Sequence, residues 1–172
     1  MPKLTDNQNW DVITAGGGPA GFFAAIRCAE LNPNLRVLIL EKASQTLGKV
    51  LISGGGRCNV THACFDPARL VTFYPRGANE LRGAFTRFQP KDTVEWFESR
   101  GVKLKTEADG RIFPVTDLSA TIADCLRESA KKAGVEVSVG TSLLGVEKSH
   151  SVGFRLEVRR GRRSFISKQG SC

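Results

Sequence analysis

The chain has 172 residues, 41% hydrophobic and 24% charged, the proportions of an ordinary globular protein with material for one core and slightly more, which excludes a disordered or low-complexity polymer. No apolar run approaches the roughly 20 residues that span a bilayer and the polar N-terminal stretch has no secretory core, so no membrane partner and a cytoplasmic location are expected. The formal charge of +8 raises nucleic acid as a partner, but the excess gathers late, at Arg155, Arg159, Arg160, Arg162, Arg163 and Lys168, without interleaved aromatics or a helix-turn-helix or RNP pattern; a solvated basic tail and no nucleic acid are expected.

The first predicted element is a short buried strand, Trp10-Asp11-Val12-Ile13-Thr14-Ala15. Gly16-Gly17-Gly18-Pro19-Ala20-Gly21 follows as G-x-G-x-x-G, then a helix from Phe22 to Leu31, then an apolar strand Val37-Leu38-Ile39-Leu40 ending in Glu41. Each part has a task in a βαβ dinucleotide fold. Gly16 permits the tight turn, Gly18 lets backbone amides approach a diphosphate, and Gly21 lets helix pack on strand. The helix N-terminus presents free N–H groups and positive partial charge to the phosphates. Glu41 accepts hydrogen bonds from ribose hydroxyls and would repel a 2′-phosphate, which favours FAD or NAD over NADP at this site. A bare glycine motif is weak evidence; strand, glycines, helix, strand and acid in this order favour nucleotide binding over a βαβ unit that binds nothing.

Lys42 to Lys49 is polar, with Gly48, and reads as a loop. Val50-Leu51-Ile52 then runs into Ser53-Gly54-Gly55-Gly56-Arg57-Cys58-Asn59. Three consecutive glycines lose much chain entropy on folding. The alternatives are a flexible linker and a backbone cradle against a flat or anionic ligand; the flanking Leu-Ile and Arg-Cys-Asn favour the cradle. Arg57 would add charge-assisted contacts to the ligand, and Asn59 a paired donor and acceptor for a ring edge. Cys58 is read as a packing or contact residue rather than a redox thiol, because no partner lies at C-x-x-C spacing.

Phe65 to Phe88 is mixed, with turns at Asp66-Pro67 and Tyr74-Pro75 between short helical pieces. Gln89-Pro90 opens a helix through Ser99 whose Val94, Trp96 and Phe97 form a core stripe, and Gly101 stops it. Val102 to Thr106 alternates as a strand, Ala108-Asp109-Gly110 signals a hairpin, and Arg111-Ile112-Phe113-Pro114 is the return strand. A helix begins at Asp117-Leu118-Ser119, with Ile122, Leu126 and Ala130 on one face, and ends at Ala133-Gly134. Val135 to Val139 is a strand, and the segments beyond it, through Leu143, Leu144 and Val146 to Phe154-Arg155-Leu156-Glu157-Val158, read as a β-meander. Residues 1–158 are thus one nucleotide-binding domain portion, and 159–172 a disordered or aberrant basic tail. The five cysteines, Cys28, Cys58, Cys64, Cys125 and Cys172, are expected to be free thiols. His62 and His150 lie in no ligand-spaced cluster, so no metal is expected.

The combined pattern resembles the two-dinucleotide-binding-domain flavoproteins and, within them, the aminoacetone-oxidase-like family that includes the 3-dehydro-bile-acid Δ4,6-reductase type. Three stretches carry the likeness: Asp11 to Gly21 with Glu41-Lys42; Gly48-Lys49-Val50-Leu51-Ile52-Ser53-Gly54-Gly55-Gly56-Arg57-Cys58-Asn59-Val60-Thr61; and Leu104 to Glu107 through Gly110-Arg111-Ile112-Phe113-Pro114. The resemblance implies an α/β, Rossmann-like FAD-binding domain of a cytoplasmic oxidoreductase that passes hydride between FAD and NADH, NADPH or a small organic substrate. It implies cofactor contacts at Gly16, Gly18, Pro19, Ala20, Gly21, Glu41, Lys42, Lys49, Ser53, Gly54, Gly55, Gly56, Arg57, Cys58 and Asn59, with the backbone of Leu143 meeting the adenine. The family pattern continues into an A-T-G-G turn, a large inserted substrate domain and a C-terminal glycine segment, none of which is matched. The segment from Arg160 to Cys172 reads as a truncated or frameshifted continuation. No catalytic acid or base is identified, and the alternative function is an inactive nucleotide-binding fragment.

Overall fold

The computed structural model describes residues 8–149, 153–161 and 163–169; His150, Arg162 and Cys172, singled out above, lie outside them. In chain order the elements are β1 (Asn9–Trp10), β2 (Val12–Ala15), α1 (Pro19–Leu31), β3 (Val37–Leu40), α2 (Gly48–Ile52), β4 (Thr61–His62), α3 (Pro67–Leu70), α4 (Ala78–Phe85) and α5 (Pro90–Glu98). There follow β5 (Leu104–Thr106), β6 (Arg111–Pro114), α6 (Ser119–Lys132), β7 (Glu136–Ser138), β8 (Thr141–Lys148), β9 (Phe154–Arg160) and β10 (Arg163–Gln169). Two compact units result, residues 1–49 with 126–172, and residues 50–125, a division the sequence does not announce.

The first unit is the βαβ start that the sequence predicts. β2 runs parallel to β3, from Val12 opposite Val37 to Ala15 opposite Leu40. β3 runs parallel to β7, from Leu38 opposite Glu136 to Leu40 opposite Ser138. All four β3 residues are buried, as expected of a central parallel strand covered on both faces. α1 buries Phe22, Ala25, Ile26 and Ala29, the i, i+3, i+4, i+7 stripe of a helix facing a core. The helix starts at Pro19 rather than Phe22, because proline suits the first helical turn.

The meander is present beyond Val139 as read: β7 joins the parallel sheet, and β8, β9 and β10 form the antiparallel ribbon. Its far edge is closed by β1, with Asn9 opposite Lys168 and Trp10 opposite Gln169, in parallel. Trp10, Leu38, Leu40, Leu156 and Val158 make one buried cluster, with Ile13 and Leu143 packed against it, so ribbon and parallel sheet share a core. The expected basic tail is therefore a strand over Arg163–Gln169. Its backbone pairs with β9 along Arg163 to Lys168 and with β1 at Lys168 and Gln169, whatever the charge of its side chains.

In the second unit β4, β6 and β5 form an antiparallel sheet with Thr61 opposite Ile112 and Leu104 opposite Pro114. The predicted hairpin at Asp109-Gly110 is there, Gly110 taking φ +84°. α5 starts at Pro90, and Asp92 accepts a hydrogen bond from the Gln89 amide at 2.7 Å. One loop prediction changes: Gly48 and Lys49 open the short helix α2, whose apolar run is too brief to show helical periodicity in the sequence.

Candidate functional site

In the first unit the glycines of the fingerprint differ in what they would tolerate. Gly16 turns the chain at φ +114°, and its amide donates to the Leu40 carbonyl at 2.7 Å. A Cβ added at Gly21 would lie 2.1 Å from the Gly16 carbonyl oxygen, whereas one added at Gly18 would meet nothing within 4 Å. Gly21 is therefore a packing glycine, and Gly18 borders open space. α1 carries no side-chain cap and no acidic residue in its first turn. The amides of Ala20 and Gly21 thus begin a helix whose first N–H groups lack intrahelical acceptors and whose positive end is not neutralised by its own turn.

Glu41 sits directly beyond β3. Its backbone donates to the Ser138 carbonyl at 2.9 Å and accepts from the Thr141 amide at 2.8 Å. Its carboxylate is fixed by two more amides, Oε2 accepting from Gly17 at 2.8 Å and Oε1 from Ala43 at 2.7 Å. Each oxygen keeps acceptor capacity beyond that one bond. Sequence reading passed over Gly17, the "x" of the motif. A Cβ there would come within 2.9 Å of Thr46 Cγ2 and 3.0 Å of Glu41 Cβ, so the middle glycine of the three is what lets the acid dock on the loop. The run Gly16-Gly17-Gly18 was its signal. Lys42 and Lys49 are exposed. Leu143 packs on the Trp10 cluster next to a β-bulge before Gly145.

The second unit holds the triple-glycine loop. Ser53–Gly56 forms a tight turn interrupted by left-handed backbone, with φ +56° at Gly54, +68° at Gly55 and +86° at Gly56. Such a run of positive φ is available to glycine alone at little steric cost. A Cβ on Gly54 would lie 2.7 Å from the Asn59 amide nitrogen and 3.0 Å from the Phe113 ring, while Gly55 and Gly56 face open space. That is a backbone surface bare of side chains, the form expected of a cradle rather than a linker. Ser53 Oγ donates to the Val50 carbonyl at 2.8 Å, and the Cys58 amide closes the loop on the Ser53 carbonyl at 3.0 Å. Asn59 is exposed at its end.

Arg57 is engaged by neighbouring side chains of the second unit. Its Nη1 donates to Glu107 Oε1 at 2.5 Å and lies 3.5 Å from Asp117 Oδ1, and the guanidinium stands 4.0 Å over the Phe113 ring. The hydrogen bond to Glu107, then the nearby carboxylate charges, raise its pKa further above the usual value. Asp117 also pairs with Lys105, whose hydrogen bond and charge hold the acid below the ordinary carboxylate range, with Arg57 adding to the effect. Glu107, Phe113 and Asp117 escaped sequence reading because they lie 50 or more positions from Arg57 and share no periodicity with it.

Burial pushes the Cys58 thiol up, a hydrogen bond with Ser53 only partly opposing this. A protonated, buried thiol is a poor nucleophile. Cys58 should be alkylated by iodoacetamide near neutral pH more slowly than the half-buried Cys28 and Cys125; mass spectrometry of a timed reaction checks this, and a fast-reacting Cys58 would contradict the packing role. Among the described residues no group of three or more His, Cys, Asp or Glu is placed to hold a metal ion, and no helix is long and apolar enough to cross a membrane.

Comparison with known proteins follows the same lines. The HI0933-like protein Rossmann domain matches residues 10–169. The 3-dehydro-bile acid Δ(4,6)-reductase of Clostridium scindens is 30% identical over 125 residues, covering 73% of this chain and 30% of that protein. The ribosomal RNA dihydrouridine synthase of Escherichia coli is 27% identical over 151 residues, 88% of this chain and 36% of that protein. The chain thus spans about a third of the length of these curated relatives. Its fold is similar to that of the 3-ketosteroid-Δ4-(5α)-dehydrogenase of Rhodococcus jostii RHA1, with a TM-score of 0.72 at 17% identity over 97% of this chain and 45% of that one.

Proposed function

The chain belongs to the HI0933-like family through its Rossmann domain, and from that premise we propose that it holds the FAD of an oxidoreductase which adds hydride to an unsaturated ring. FAD is the cofactor of this domain. One observation carries its placement: Gly18, the position the fingerprint reserves for a diphosphate, borders empty space, while Gly17 and Gly21 are packed against neighbours.

The residues present fit the group. The first amides of α1, at Ala20 and Gly21 after Gly18-Pro19, receive the diphosphate by hydrogen bonds and the positive end of the helix. Glu41, already oriented by the Gly17 and Ala43 amides, takes the ribose hydroxyls with its remaining lone pairs. Lys42 and Lys49 supply positive charge to the nucleotide, and Leu143 offers backbone to the adenine. In the second unit the bare amides of Gly55 and Gly56, with Ser53, Cys58 and Asn59, are assigned to the flavin side. Bound FAD supplies two-electron chemistry through its N5; the chain's own part is to bind, orient and exclude water.

The substrate class comes from the relatives' names. One removes the Δ4,6 unsaturation of 3-dehydro-bile acids and another forms a dihydro base in ribosomal RNA. Both reactions add two hydrogens across a ring double bond, and we assign the same reaction class here, with NADH or NADPH as electron source. The similarity to the ribosomal RNA dihydrouridine synthase supports a second reading in which the ring belongs to a base in RNA.

The test is titration of the purified chain with FAD, followed by visible absorbance and flavin fluorescence. Saturable binding with a perturbed flavin spectrum is expected. A folded chain that leaves added FAD free in solution would overturn the placement. Turnover of a 3-oxo-Δ4,6 steroid or of a uridine-containing RNA by the holoprotein with NAD(P)H then separates the two substrate readings.

A further inference from the structure

We propose that Arg57 is a positioning residue rather than a ligand contact: gripping Glu107 and Asp117 while lying on the Phe113 ring, it holds the Ser53–Asn59 loop in the left-handed form that receives the flavin. The inference rests on the FAD reading above for its consequence, though not for its geometry.

The loop needs an external tether. Three adjacent glycines forfeit more backbone entropy on ordering than any other run of that length. The hydrogen bonds that close the turn run from the Arg57 amide to the Ser53 carbonyl and, at a long 3.4 Å, to the Gly54 carbonyl, and from the Cys58 amide to the Ser53 carbonyl at 3.0 Å. Cys58 adds its own left-handed backbone, φ +61°, which an L-residue adopts only under constraint.

The guanidinium supplies the constraint from both sides. Its face covers Phe113 at 4.0 Å, the same fully buried ring that lies 3.0 Å from a Cβ placed on Gly54. Its Nη1 is engaged by Glu107 at 2.5 Å and faces Asp117 at 3.5 Å. Planar stacking with a directional carboxylate contact is the arginine mode of recognition, and lysine cannot reproduce it. The tether ends on the rigid side of the unit, since Glu107 directly follows β5 and Phe113 lies in β6. Asp117 is itself set at φ +54°, aimed at the loop by the turn ahead of α6.

The network also predicts that losing Arg57 spares the fold. Glu107 keeps Arg111, 3.6 Å away, and Asp117 keeps Lys105, so neither acid is left without a cation. The effect should therefore appear in the loop and in FAD binding, not in global stability.

Charge reversal separates a strut from a ligand contact. Hydrogen–deuterium exchange of the peptide containing Gly54 to Gly56 is measured in the FAD-free chain, and FAD affinity by fluorescence titration, for Arg57→Met, Arg57→Glu and Arg57→Glu combined with Glu107→Arg. Arg57→Met and Arg57→Glu should speed exchange of that peptide and weaken FAD binding about tenfold, the factor that corresponds to one good charge-assisted contact. The double reversal, which returns the 57–107 ion pair but neither the stacking on Phe113 nor the attraction to Asp117, should recover only part of both effects, exceeding Arg57→Glu alone. Unchanged exchange in Arg57→Met, or a double variant no better than Arg57→Glu, overturns the proposal. If the parent chain fails to bind FAD, the cofactor placement falls, and the exchange arm still decides whether Arg57 is the strut.

Discussion

Gly21→Ala is expected to destabilise the first unit by about 3 kcal/mol, and Gly18→Val to leave it folded while weakening FAD binding about a hundredfold. A methyl at Gly21 would sit 2.1 Å from the Gly16 carbonyl oxygen and 3.3 Å from its carbonyl carbon. Both are backbone atoms at the strand-to-helix turn, so neither can swing aside as a side chain would. Relief requires moving α1 off β2, which disturbs the buried face of Phe22, Ala25, Ile26 and Ala29. Overpacking of this kind costs about 3 kcal/mol or more, a large part of the roughly 5–15 kcal/mol that holds a domain together.

Gly18 presents the opposite case. Its backbone is extended, φ −85° and ψ −179°, a conformation valine accepts, and an added Cβ meets no atom within 4 Å. The penalty to the fold is the poorer helix cap, about 1 kcal/mol. The isopropyl group fills the space assigned to the diphosphate and keeps it from the α1 amides, so FAD affinity should fall on the order of hundredfold, or about 2.7 kcal/mol. Urea unfolding and FAD titration of the two variants form the test. Full FAD affinity in a folded Gly18→Val chain would remove the diphosphate from this loop.

Glu41→Gln carries the second large effect. Both carboxylate oxygens accept backbone N–H groups, from Gly17 and from Ala43. The amide that replaces them has one oxygen, so its NH2 must face one of those donors. A hydrogen bond to a charged acceptor is lost and a donor is left facing a donor, which should lower stability by about 2 kcal/mol. The variant should also lose ribose acceptors and the negative charge that disfavours a 2′-phosphate. Weaker FAD binding is expected, with a smaller preference for NADH over NADPH as a competing ligand. Chemical denaturation and competition titrations measure the two effects. A variant of parental stability and parental FAD affinity would show that the carboxylate serves neither the loop nor the ribose.

The hairpin at Asp109-Gly110, the helix over Pro90–Glu98 and the βαβ start were readable because each rests on local rules: a turn residue at a fixed place, an apolar stripe, a glycine spacing. Where reading failed, the deciding contact was remote. The strand at β7 was legible, but only the free edge of β3 decides that it pairs in parallel with Leu38 to Leu40. The segment Arg163–Gln169 looks like a charged tail until β9 and β1 flank it. Within the cofactor loops the glycines were legible, but not what each of them is for.

The sequence by itself determined the nucleotide-binding signature, because a diphosphate loop needs glycine at set intervals between a strand and a helix, and an acid one strand later. It also marked Gly54 to Gly56 as a run suited to left-handed φ in succession, which glycine takes at little steric cost. Tertiary structure alone decided that Glu41 is braced by Gly17 and Ala43, and that the charge of Arg57 is spent on Glu107 and Asp117. The reason is physical. Backbone conformation is encoded where it occurs, while the partner of a charge is whichever group the completed fold brings within a few ångströms.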